Sequence, residues 1–106
     1  MTKEMDWANL GFGYRKANKM FVAEFKDGKW NEGELRDDDT LNIHAASTCL
    51  HYGQQGFEGM KAYRSKEGKI LLFRPDQNAK RLAETADRIM MAPVPEDFFI
   101  DAVKKV

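Results

Sequence analysis

The sequence predicts an α+β fold: an antiparallel β-sheet built from two hairpins, with two helices packed on one face. Three observations carry that expectation. Two β-rich segments fold back on themselves across turn-forming residues. Apolar residues recur every three or four positions over 76–91, and a proline followed by two acids opens a second apolar helix over 95–106. The chain has 106 residues, enough for a single small core, so residues 1–106 are read as one domain.

The first hairpin spans residues 20–35. Met20-Phe21-Val22-Ala23-Glu24-Phe25-Lys26 is rich in strand formers, and Asp27-Gly28 is the dipeptide favoured where two central turn residues need positive φ. The loop Arg36-Asp37-Asp38-Asp39-Thr40 follows. Its acids are consecutive and cannot easily converge on one metal ion, so it reads as a solvated loop. The second hairpin pairs the strand at 59–64 with the apolar run Lys69-Ile70-Leu71-Leu72-Phe73-Arg74, and Pro75 stops it. Asp76 is placed to cap the helix over 76–91, whose face is Ala79, Leu82, Ala86, Ile89 and Met90. Pro93 and Pro95 end it, and Pro95, Glu96 and Asp97 begin the last helix. Leu72, Phe73, Leu82, Ala86, Ile89, Phe99 and Val103 are the expected core. The last helix has no stop signal before Val106, which suggests an N-terminal piece of a longer protein.

Composition narrows the function. Seventeen basic and seventeen acidic side chains cancel, which argues against a dedicated nucleic-acid or anionic-membrane binder. No apolar run approaches the length of a membrane span, and residues 1–6 lack a signal-peptide pattern, so a cytoplasmic location is expected. Cys49 is the lone cysteine; with His44 and His51 it makes too irregular a set for structural zinc, and no metal site is expected.

The stretch Leu50-His51-Tyr52-Gly53-Gln54-Gln55-Gly56-Phe57-Glu58-Gly59 is the most unusual. Its glycines let backbone approach a ligand or another chain, and Tyr52 and Phe57 either wall a pocket or simply join the core. No Lys-Ser or Lys-Thr follows the glycines, so this is not a phosphate loop. Arg81, in the second turn of the helix, either places its planar fork on a phosphate or shares a solvated face with Arg88. Lys61 and Lys80 carry the same solvated reading, Cys49 reads as a buried filler, and His51 as a structural hydrogen-bonder or a general base.

His51-Tyr52-Gly53, Phe57-Glu58-Gly59-Met60-Lys61-Ala62-Tyr63-Arg64, Leu72-Phe73-Arg74-Pro75-Asp76-Gln77-Asn78 and Arg81-Leu82 together closely resemble branched-chain amino-acid aminotransferases of the pyridoxal-phosphate fold-type IV class. The resemblance runs from Leu10-Gly11-Phe12-Gly13 to the last helix and implies the small N-terminal domain. It implies that Arg81 binds the cofactor phosphate, and that Phe12, Tyr52 and Phe57 line the substrate pocket. It implies an enzyme that moves the amino group of leucine, isoleucine or valine to 2-oxoglutarate, acts on small amino acids and 2-oxo acids, and works as a homodimer. The lysine that bonds to pyridoxal phosphate and moves the α-proton lies, in that family, beyond residue 106. No catalytic residue is therefore assigned here, and the chain alone is expected to be inactive. The alternative is a standalone, non-catalytic domain that keeps the fold as a binding or dimerisation module.

Overall fold

A computed structural model describes residues 7–9 and 11–106. The opening six residues and Leu10, the first residue of the family resemblance, lie outside the described set. The architecture is α+β, in two compact units: residues up to Asn42 together with Lys105 and Val106, and Ile43–Lys104.

In the first unit, a 3-10 turn at Trp7–Asn9 precedes four short strands, β1 (Met20–Val22), β2 (Phe25–Lys26), β3 (Lys29–Trp30) and β4 (Glu34–Arg36). They are one long hairpin in two pieces. At its tip Asp27 and Gly28 both adopt positive φ, 54° and 81°, the two-residue turn whose twist matches that of the strands. Phe25 and Trp30 pair edge-to-face across β2 and β3 at 5.4 Å. Further along, β1 pairs β4 with Phe21 opposite Leu35.

Between the two pieces the register slips by one residue, so the returning strand carries a bulge. Asn31 repairs the ladder there. Its backbone N–H donates to the Glu24 carbonyl, and its side-chain oxygen accepts from the N–H groups of Glu24 and Gly33 at 3.0 and 2.9 Å. Gly33, at φ 75°, sits where a Cβ would run into the Phe21 ring. The aspartate run that follows is divided among three cations: Asp37 pairs with Lys19, Asp38 with Arg36 at 2.7 Å, and Asp39 with Lys16 at 3.7 Å. Pairing with Lys19 lowers the Asp37 pKa.

In the second unit, the one-turn helix α1 (Thr48–His51) leads through a glycine-rich loop to β5 (Ala62–Arg64) and β6 (Ile70–Leu72). The turn between them closes with the Gly68 N–H on the Ser65 carbonyl and the Lys69 N–H on the Ser65 hydroxyl. The helices α2 (Pro75–Arg88) and α3 (Glu96–Lys105) follow.

Among the described residues the strands pair within their own hairpins, in three two-stranded ladders, not in one continuous sheet. Each strand is two or three residues long, which leaves little edge to extend. Asp76 is not the cap of α2. Arg74 holds that position in a left-handed conformation, Pro75 takes the first helical place, and Asp76 falls in the first turn, where it accepts from the Arg74 guanidinium at 3.2 Å. That contact lowers the Asp76 pKa to about 2.

The helix ends at Arg88, earlier than its apolar periodicity suggests. Met90 turns left-handed at φ 61°, its N–H reaches the Asp87 carbonyl, and the Met91 N–H reaches that of Ala86 at 2.8 Å. This is the two-bond C-terminal motif usually closed by glycine. Likewise Pro95 stands just outside α3, accepting its first bond from Phe99.

The core is narrower than the sequence implies. Among the described residues only Ala79 and Ala86, seven apart on α2, are fully buried. Leu72, Leu82, Ile89, Phe99 and Val103 are half-buried. Phe73 departs outright: it lies in the bend between β6 and α2, past the last strand residue Leu72, and is 83% exposed.

Gly33→Ala is expected to destabilise the first unit by about 1–3 kcal/mol, since it adds positive-φ strain and a clash with Phe21. Urea unfolding followed by tryptophan fluorescence measures this.

Candidate active site: a loop clamped along α2

Residues 53–59 form neither helix nor strand, yet they are fixed along their length by α2. The loop runs antiparallel to the helix and touches it at three levels. Gln54 donates from its side-chain nitrogen to the Ile89 carbonyl at 2.8 Å, adding a partner at the helix C-terminus, while its oxygen accepts from the Thr48 hydroxyl. Gly56 lies over Thr85 and Leu82, so close that a Cβ would meet the Thr85 methyl at 3.3 Å. Glu58 meets Asn78 and Arg81.

Gln54, Gly56 and Glu58 meet the helix at alternate positions. The backbone turns at Gln54, where the Gln55 N–H donates to the Gly53 carbonyl at 2.8 Å, and the Gln55 side chain donates to the Cys49 carbonyl at 2.6 Å. Phe57 is 86% exposed.

Glu58 is the centre of the arrangement. Its side chain is 6% exposed, against 66% for Arg81. The guanidinium grips the carboxylate in a fork: Arg81 Nε donates to Oε2 at 2.9 Å, and Nη2 pairs with Oε1. Asn78 donates to the same Oε1 at 2.8 Å and to the Gly59 carbonyl at 3.1 Å. The Arg81 hydrogen bond lowers the Glu58 pKa; burial opposes it, and Asn78 and the Arg81 charge assist. Glu58 is therefore ionised at neutral pH, and the Arg81 pKa is raised in return. By linkage the pair stabilises the fold above the ordinary glutamate pKa of 4.5, and that contribution is lost as pH falls through the lowered value.

The residues singled out by sequence fall as follows. Arg81 sits in the second turn of α2 with an exposed guanidinium, while Arg88 occupies the last turn, where its charge suits the helix dipole. Tyr52 follows α1 and is 85% exposed. Loop and helix thus join Phe57 and Arg81 through Glu58, with Tyr52 at the loop's start. Phe12 belongs to the first unit and is exposed. His51 is occupied structurally, its Nε2–H donating to the Ala45 carbonyl. Cys49 is half-buried, with its sulfur 3.1 Å from the Ser47 hydroxyl.

Glu58, Asn78 and Gln54 were missed by sequence reasoning. The usable signal was the match between Gln54, Gly56 and Glu58 at period two and a stripe of Asn78, Arg81, Thr85 and Ile89 along one helix side. Among the described residues no group of three metal-ligating side chains converges, and no helix is long and apolar enough to cross a membrane. The first unit holds an open cavity of about 540 Å³, lined by Glu24, Glu32, Glu34 and Arg36 among others. Its acidic wall is unsuited to a phosphate, and Arg36 is already paired with Glu34 and Asp38.

No protein-family model matches the chain. Individual relatives match strongly. A branched-chain-amino-acid aminotransferase of Haemophilus influenzae is 58% identical over 98% of this chain, and one of Helicobacter pylori is 48% identical over 98%. A branched-chain-amino-acid transaminase of Bacillus subtilis is 39% identical over 95%. The alignments cover 30%, 31% and 29% of those relatives. All three relatives are named as aminotransferases or a transaminase. Over nearly its whole length the chain is similar to branched-chain-amino-acid aminotransferases, and it spans about 30% of the length of the relatives it matches.

Arg81→Ala is expected to raise the Glu58 pKa, because burial persists when its main opponent is gone. Titration of the Glu58 carboxyl carbon by NMR in both proteins reads the shift directly.

Proposed function

We propose that this chain forms the part of a cytoplasmic, pyridoxal-phosphate-dependent aminotransferase that holds the cofactor phosphate and receives the aliphatic substrate side chain. The full-length protein transfers the amino group of leucine, isoleucine or valine to 2-oxoglutarate and works as a homodimer. The observation that carries the reading is 58% identity to a named branched-chain aminotransferase across 98% of the chain.

The donor set fits a phosphate in kind. Glu58 occupies the Nε and Nη2 groups of Arg81, while the exposed guanidinium retains N–H donors for a second anion. When bound, pyridoxal phosphate supplies the electron sink that amino transfer requires. The chain's own residues bind and sort. Arg81 anchors the phosphate by directed hydrogen bonds. Phe12, Tyr52 and Phe57 offer aromatic surface to side chains that differ only in methyl and methylene placement, and by shedding water there they favour apolar substrates over charged ones. Their exposure in this chain is consistent with walls awaiting a ligand or further protein surface. The lysine that bonds the cofactor and moves the α-proton is supplied by sequence outside these 106 residues.

In the full-length protein, Arg81→Ala is expected to weaken pyridoxal-phosphate affinity on the order of tenfold or more, while Arg88→Ala leaves it near the starting value. Titration of the apo-protein, followed by cofactor absorbance, decides; equal affinities for the two variants would return Arg81 to a plain solvated face. The 106-residue chain itself is expected to show no transamination of leucine with 2-oxoglutarate above background, measured on protein free of host enzyme.

A further inference from the structure

Arg81 does not stand alone, and its companion is of the wrong sign for anion binding. A carboxylate beside a phosphate-binding arginine cancels the charge that would attract the phosphate. Glu58 is nevertheless 6% exposed, gripped through both oxygens by the guanidinium, and held from behind by Asn78. A buried carboxylate so fully engaged restricts its partner's orientation. Arg81, by contrast, is two-thirds exposed, and without Glu58 its long side chain would sample many rotamers.

We propose that Glu58 is a positioning residue: it fixes Arg81 by the Nε and Nη2 groups, and so aims the remaining donors of the guanidinium at the phosphate of the ligand. The proposal rests on the assignment of Arg81 to the cofactor phosphate. What the pair offers an anion is direction, since its net charge is zero. Asn78 acts one step further out. By donating to Glu58 Oε1 and the Gly59 carbonyl, it fixes the carboxylate relative to both loop and helix. The lowered Glu58 pKa keeps the carboxylate charged, and the fork intact, at neutral pH.

A ligand pair separates this role from a structural one. Pyridoxal phosphate carries the phosphate; pyridoxal lacks it and keeps the aldehyde and ring. In the full-length apo-protein, Glu58→Gln is expected to weaken pyridoxal phosphate by at least about threefold and to leave pyridoxal unchanged. The double variant Glu58→Gln/Arg81→Ala is expected to bind no more weakly than Arg81→Ala alone, because Glu58 acts through Arg81. Asn78→Ala is expected to give a smaller loss of the same kind, and it carries the test if Glu58→Gln does not fold.

The proposal is overturned if Glu58→Gln binds pyridoxal phosphate as tightly as the parent or more tightly, the result of relieved charge repulsion alone. It is overturned equally if both ligands weaken together. Failure of the underlying assignment looks different: Arg81→Ala would then leave the preference for the phosphorylated ligand intact. A loss of that preference in Arg81→Ala with none in Glu58→Gln sinks the positioning role and spares the phosphate assignment.

Discussion

A carboxylate largely covered by protein gains from a cation and hydrogen-bond donors, and Glu58, its side chain 6% exposed, is such a carboxylate. Meeting that demand organises the second unit. Arg81 and Asn78 lie three positions apart on α2, so both reach one point, and the loop must bring Glu58 to that point. From that anchor the loop continues along the helix, with Gly56 over Thr85 and Gln54 at the end of the helix. Phe57, between Gly56 and Glu58, is left 86% exposed.

The same clamp makes position 56 a tight one. A Cβ there would meet the Thr85 methyl at 3.3 Å, so that contact would have to give by a few tenths of an ångström. Apolar packing cannot supply the missing order, because the fully buried hydrophobic residues among those described are two alanines. Directed polar contacts hold what a thin core does not. The many exposed aromatics and aliphatics accord with a chain that spans about 30% of the relatives it matches.

Local rules were legible in the residues themselves. Asp27-Gly28 specified its turn because few other dipeptides tolerate two positive φ angles, and α2 was legible because three-and-four spacing leaves little choice. What escaped detection was of two kinds. Some features break a local rule: Met90 closes a helix where glycine is usual, and Arg74 caps one from a left-handed conformation, each held by neighbouring hydrogen bonds. Others are non-local. The Glu58–Arg81 fork joins positions 23 apart, so no window of sequence contains both partners. The resemblance to a family pointed to Arg81 and was silent on the carboxylate that holds it.

The fork with Glu58 is expected to hold the Arg81 guanidinium in one place rather than leave it waving in solvent. The exchange of the Arg81 Nε proton with water, followed by NMR in the 106-residue chain at neutral pH, tests this most directly, with exposed Arg88 as the internal control. The expected result is an Arg81 Nε proton that exchanges measurably more slowly than that of Arg88, with the difference abolished by Glu58→Ala. Equal exchange at the two arginines in the parent chain would contradict the account.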